Sequence, residues 1–167
     1  MIRQIADVIE RSEGVKLLDV APGEATICTV VTFVGEPDAV VEAAFKAVKK
    51  AGELIDMRQH HGAHPRMGAT DVLPLVPVSG ITLEECAELA RKLAERIANE
   101  LAIPCYCYEA AASTPERRNL AVVRKGEYEG IAERIMDENE KPDFGTRPSE
   151  EQVAKTGYPA VGARDFP

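Results

Sequence analysis

Met57 to Val78 reads MRQHHGAHPRMGATDVLPLVPV, a polar loop that runs directly into the most apolar segment of the chain. Gly62, Pro65 and Gly68 exclude a regular helix from its first half. The second half, Thr70 to Val78, is rich in Val and Leu and reads as a strand covered on both faces. Pro74 and Pro77 have no N–H to give to a ladder, so part of that strand is expected at an edge or in a bulge. The loop therefore presents Arg58, His60, His61, His64 and Arg66 beside the start of a rigid strand. Functional groups often sit on a loop held by such a scaffold.

Upstream, Pro37 suits the first turn of a helix. Val41, Ala44, Phe45, Val48 and Ile55 make its core stripe, and Glu42 can pair with Lys46 at i,i+4. Before it, Lys16–Val20 and Thr26–Val34 flank the turn signal Pro22-Gly23 and predict an antiparallel hairpin. The second of these strands is uncharged on both faces and is expected in the middle of the sheet. Residues 2–13 read as a helix on the stripe Ile2, Ile5, Ala6 and Ile9, ended by Gly14.

Downstream, Thr82 followed by Glu85 is a capping-box pattern. It opens a helix over 82–101, with Leu83, Cys86, Ala90, Leu93, Ile97 and Leu101 facing the core and Glu88, Arg91, Lys92 and Glu95 facing water. Cys105 to Tyr108 is a further short strand, so strand, helix and strand form a βαβ unit. The order αββαβαβ predicts an α/β (α+β) fold, a mixed sheet of about four strands covered by helices. Leu120 to Glu138 is helical, with a break at Lys125-Gly126. Residues 1–138 are expected as the α/β body. Residues 139–167, punctuated by prolines and glycines, are expected as an extended C-terminal arm, either part of the same domain or contacting a partner.

A chain of 167 residues is most simply one domain with a proper core. No apolar run approaches the roughly 18–20 residues that span a bilayer, and the N-terminus mixes charged and apolar residues at helical spacing, unlike a signal peptide. Cys28, Cys86, Cys105 and Cys107 all sit among apolar residues, which predicts reduced, buried thiols in a cytoplasmic protein. A net charge of −8 argues against a nucleic-acid or membrane surface. A local basic loop can still oppose that sign and take a small anion.

His60 and His64 are spaced i,i+4, as in a helical zinc pair. Gly62 and Pro65 break the helix that would aim both rings at one ion, and no third ligand stands at a recognised spacing, so no metal is expected. The catalytic reading is one histidine acting as general acid and base near neutrality; the plainer reading is a solvated basic loop. Arg66 can bind a carboxylate bidentately or form a surface ion pair. Asp71 can orient an imidazole or cap a turn. Gly68 is expected to serve the backbone. Cys105 and Cys107 share one face of their strand and read as core, with Tyr106 and Tyr108 on the other, either lining a pocket or, the plainer reading, structurally buried.

The run HHGAHPRMGATDV resembles the signature around the catalytic histidine of the glutamate formimidoyltransferase family, in its N-terminal subdomain. LLDV at Leu17, TFVGEPDAVVEAA at Thr32, LIDM at Leu54, RKGEYEG at Arg124, PDFG at Pro142 and GARDF at Gly162 agree in order and spacing. The resemblance implies two similar α/β subdomains with folate in the groove between them. It also implies transfer of a formimino group from N-formimino-L-glutamate to N5 of tetrahydrofolate, a co-substrate. His64 matches the catalytic histidine. His60, His61, Arg66, Asp71, Gly145 and Arg164 are carried over as substrate-binding positions.

This chain departs from the family pattern in places. Against that pattern, the family's first strand and second subdomain are expected to be missing from these residues. The polar groups expected at positions 21, 27 and 28 are Ala21, Ile27 and Cys28, and the loop after PDFG is longer and more polar. A homodimer or a separate C-terminal-subdomain partner is expected to complete the groove. The alternatives are a non-catalytic folate-binding or regulatory module and one half of a split transferase.

Overall fold

The structure is a computed structural model that describes residues 1–23, 28–61 and 65–166. The expectations for His64, Gly62 and Ile27 lie outside the described residues. Helix α1 (Ile2–Glu10) buries Ile5, Ala6 and Ile9. The chain then turns through Gly14, at a φ of +78° that suits glycine, into strand β1 (Val15–Pro22). β1 pairs antiparallel with β2 (Thr29–Gly35), from Val15 opposite Gly35 to Pro22 opposite Thr29.

The hairpin is as the sequence predicts, but β2 is not central. Its one paired neighbour among the described residues is β1, and Val30 is 60 % exposed. An uncharged face is therefore not a covered one here. Cys28, just before β2 at the turn end of the hairpin, is exposed rather than buried; its carbonyl accepts the Gly23 N–H at 2.9 Å.

Helix α2 (Pro37–Leu54) starts on proline and buries Ala43, Ala44, Phe45, Val48 and Ala51. Strand β3 (Val72–Leu75) follows the histidine loop and is shorter than its apolar run suggests. Helix α3 (Leu83–Leu101) opens on the predicted capping box: Thr82 Oγ1 accepts the Glu85 N–H at 3.1 Å, and Glu85 accepts the Thr82 N–H at 3.2 Å. Two polar expectations change. Glu42 takes Arg96 of α3 as its ion-pair partner rather than Lys46. Arg91 folds out of water to donate to the Ala110 and Ala111 carbonyls at 3.0 and 3.2 Å.

Strand β4 (Tyr106–Glu109) is followed by α4 (Leu120–Val123) and α5 (Ile131–Met136), with Gly126 at a φ of +82° in the break between them. The largest departure is in the segment from 139 onward, expected as an extended arm. It contains α6 (Glu150–Thr156) and a fifth strand, β5 (Ala160–Ala163). β5 lies between β3 and β4, parallel to both, with Ala160 opposite Val72 on one side and Tyr106 on the other. The α/β class stands, but the described strands form two sheets, an antiparallel pair and a parallel triplet, rather than one mixed sheet of four. β3 is an edge of the triplet, which is where Pro74 is tolerated.

The triplet has a core on each face. Cys105, Cys107, Leu75, Val161 and Ala163 pack against Phe45 and Val48 of α2 and Leu93 and Ile97 of α3. Tyr106, Tyr108 and Ala160 pack against Val123, Ile131, Val153 and Tyr158. The alternation of Cys and Tyr along β4 is thus a division between two cores. Gly162 makes room for one of those tyrosines: a Cβ there would stand 2.5 Å from the Tyr108 ring. Among the described residues, no helix is long and apolar enough to cross a membrane.

Candidate functional site at the histidine loop

The loop between α2 and β3 begins with a 3-10 turn, Met57–Gln59, anchored by buried Met57. Asp56 caps this turn: its Oδ1 accepts the Arg58 N–H at 3.1 Å. The Arg58 guanidinium folds back on the same carboxylate, Nε to Oδ1 at 2.8 Å and Nη2 to Oδ2 at 2.6 Å. That hydrogen bond is the main reason the Asp56 carboxyl is held down to about 2. His60 closes the turn, with its N–H on the Met57 carbonyl at 3.2 Å. The His60 side chain is half-buried and His61 is exposed.

Beyond the undescribed residues 62–64 the chain is tied down at almost every step. Arg66 donates from Nε and Nη2 to the His60 carbonyl, at 3.2 and 3.0 Å, closing the loop on itself. Its Nη2 also meets Glu129 at 2.7 Å, and the guanidinium lies 5.5 Å from the centroid of the Tyr128 ring. Burial, the largest single influence, works to raise the Glu129 carboxyl, but the Arg66 hydrogen bond, a backbone hydrogen bond and the neighbouring Arg66 charge together outweigh it and leave the carboxyl below its ordinary value. The backbone of Tyr128 donates to the Arg66 carbonyl at 2.8 Å. Arg124 reaches the Pro65 carbonyl at 2.8 Å and forms an ion pair with Asp71.

Asp71 also accepts the Met67 N–H at 3.0 Å, so one of its oxygens caps the 67–71 turn, as one of the two sequence readings has it. The segment 67–71 docks on the chain entering β5. Tyr158 N–H donates to Met67 at 3.2 Å, Ala69 N–H to Thr156 at 2.8 Å, and Ala160 N–H to Asp71 at 2.9 Å. Gly68 bridges Gly157 there. A Cβ at Gly68 would stand 2.8 Å from Thr156 O and Tyr158 N, so this glycine does serve the backbone.

His60, His61, Arg66 and Asp71 are thus gathered at the end of the triplet where β3 begins. Gly145, at a φ of +73°, follows the Phe144–Cys105 bridge, and a Cβ there would meet Pro104 at 3.0 Å. Arg164 is exposed and leaves the other end of the sheet, its N–H on the Leu75 carbonyl at 3.1 Å. The four residues of β5 lie between it and Asp71, roughly 13 Å of strand. The buried Tyr108 hydroxyl, pushed up to about 12 mainly by desolvation, feels both Arg164 and Arg124.

Arg124, Tyr128 and Glu129 are members of this site to which the sequence reading assigned no role. The signal was available: RKGEYEG places opposite charges around a helix break. Among the described residues, no three His, Cys, Asp or Glu side chains converge as a metal-ligand set.

Residues 1–164 match the formiminotransferase domain, N-terminal subdomain. The chain is 50 % identical over 152 residues to a glutamate formimidoyltransferase of Streptococcus pyogenes serotype M1, covering 90 % of this chain and 50 % of that protein. It is 44 % identical over 167 residues to a glutamate formimidoyltransferase of Thermoplasma acidophilum, covering 99 % and 54 %. It is 45 % identical over 166 residues to a formimidoyltransferase-cyclodeaminase of Rattus norvegicus, covering 99 % and 30 %. The chain therefore spans about half the length of the first two relatives and under a third of the other.

Proposed function

From the premise that this chain belongs to the formiminotransferase N-terminal-subdomain family, we propose that it takes part in folate-dependent formimino transfer, with His64 as the acid/base. In this reading N5 of tetrahydrofolate attacks the amidine carbon of N-formimino-L-glutamate and gives a tetrahedral intermediate. His64 accepts the proton released from N5. The bond to the glutamate nitrogen then breaks, and the same histidine returns the proton to the departing amine. One residue near neutral pKa suits both transfers.

The observation that carries the reading is the fixed backbone on either side of His64. His60 is tied to Arg66, and Pro65 to Arg124, so the described residues on either side of position 64 are held in place. His60, His61, Arg66 and Asp71 are the proposed substrate contacts on this loop, with Gly145 and Arg164 as the remaining positions. The arginines of the loop already hold Asp56 and Glu129, so a substrate carboxylate would share them. A second α/β half, supplied as a partner chain or by a second copy, is proposed to complete the folate groove. The setting proposed is cytoplasmic.

The deciding experiment is a transfer assay with both substrates, run on the chain alone and with a C-terminal-subdomain protein, for wild type and His64→Ala. Turnover in either setting that falls at least about a hundredfold in the variant supports the reading. Turnover that survives the substitution would sink it. Exposed Ala21 and Cys28, where the family carries polar groups, favour a second reading, a folate-binding module without turnover. Folate binding with no transfer in either setting would select it.

A further inference from the structure

The segment Arg124–Gly130 is itself rigid. Val123 and Ile131, at its two ends, are buried in the second core. Arg134, from α5, donates to the carbonyls of Val123 and Lys125 and so ties the start of the segment to the helix after it. Inside it, Gly126 and Glu127 lie at φ of +82° and +53°. A non-glycine residue persists in that region where its surroundings over-determine it. The Glu127 N–H on Arg124 O at 2.9 Å and the Gly130 N–H on Gly126 O at 2.8 Å do so here. The turn aims Arg124 and Glu129 at the same neighbour, the histidine loop.

We propose that Arg124 is a positioning residue for that loop, with Glu129 as its second point of attachment. Arg124 bridges Pro65, the residue after His64, to Asp71 at the foot of β3. Glu129 holds the guanidinium of Arg66, which in turn closes on His60. His60 on one side, and Pro65 and Arg66 on the other, are thus held from one preformed turn. A single nitrogen, Nη2, serves both acceptors, while Nε is buried without a partner among the described residues. A lysine can keep the charge but cannot place its donors in the same way. The inference rests on the reading of His64 as the acid/base, but its structural half is measured without turnover.

The test is amide hydrogen exchange over residues 57–71 in the whole chain, for wild type, Arg124→Gln, Arg124→Lys and Glu129→Gln, with α3 as the internal reference. Kinetics are measured in whichever setting the wild type turns over. Arg124→Gln is expected to speed exchange of 57–71 about tenfold or more, with α3 unchanged. Its kcat should fall about as much while KM moves little, and Arg124→Lys should recover part of the loss. Glu129→Gln, exposed and tolerant, should loosen the loop more mildly, and it carries the test if Arg124→Gln fails to fold. Exchange of 57–71 unchanged in the folded variants overturns the proposal, and so does a loosened loop with wild-type kcat. A wild type without turnover in any setting counts against the catalytic reading of His64, while exchange alone still decides whether the clamp exists.

Discussion

Arg66 closes on the carbonyl oxygen of His60, six residues before it, and the same guanidinium reaches Glu129 on the far side of the loop. Its planar fork makes both contacts at once, which an ammonium would not. Arg66→Lys is expected to lose the paired bond to His60 and to lower stability by about 1 kcal/mol. The change should be read as a small drop in the denaturation midpoint, with exchange rising at residues 58–61. A variant as stable as wild type, with those amides still protected, would count against this closure.

Gly162 and Gly80 separate space from conformation. A Cβ at Gly162 would collide with the ring and backbone of Tyr108, whereas at Gly80 nothing lies within 4 Å and the obstacle is a φ of +71°. Gly162→Ala should therefore cost about 3 kcal/mol or more through overpacking. Gly80→Ala should cost only about 1–2 kcal/mol, for a left-handed alanine. Urea titration of both variants checks the order, and equal midpoints would refute it.

Three of the four thiols should be inert in the folded chain. Cys86, Cys105 and Cys107 are buried, and desolvation, the largest cause in each case, raises all three, Cys107 to about 12. Cys28 is exposed. Iodoacetamide at pH 8 should add one adduct to the native protein, at Cys28, and three more after denaturation. Mass spectrometry reads the count; rapid native labelling of Cys107 would contradict the packing of β4.

The Asp56–Arg58 pair predicts an acid effect of definite sign. Arg58 holds the folded carboxyl down to about 2, against an unfolded value of about 3.9. The group therefore favours the fold above the unfolded value, and its contribution is lost as pH falls toward the folded one. In Arg58→Met the Asp56 carboxyl should titrate nearer 4. Carboxyl NMR titration shows this directly, and stability between pH 6 and 8 should not depend on pH through this residue. A carboxyl that stays near 2 in the variant would place its cause elsewhere.

Some of this molecule is plain in the sequence. The capping box at Thr82 and Glu85 marks the start of α3 because both bonds are local. The alternation at Cys105–Tyr108 identifies β4 because each face is chemically uniform. β5 is different: Ala160-Val161-Gly162-Ala163 has too little side chain to give a periodic signal. It is a strand because two neighbours offer it ladders and because Gly162 leaves room for Tyr108. Cys28 and Val30 mislead for the opposite reason, since they are apolar residues on a hairpin face that nothing in the described chain covers. At the site, the sequence singled out the histidine loop but not its braces. Arg124 and Glu129 lie 59 and 63 residues from the atoms they hold, Pro65 O and Arg66 Nη2, and no local spacing reports such a distance.

The order of the parallel triplet has a consequence for how the molecule is made. β3 and β4 are neighbours in the chain but share no ladder; each waits for β5, which follows both. While β5 is still being synthesised, both strands have their inner edges open, and the histidine loop lacks the 156–160 backbone that anchors its descending limb. The loop and the sheet are therefore completed in one late event. Such a nascent chain would be exposed to premature pairing and to proteases until β5 emerges, and a break near Gly157 would remove the middle of the sheet rather than trim its edge.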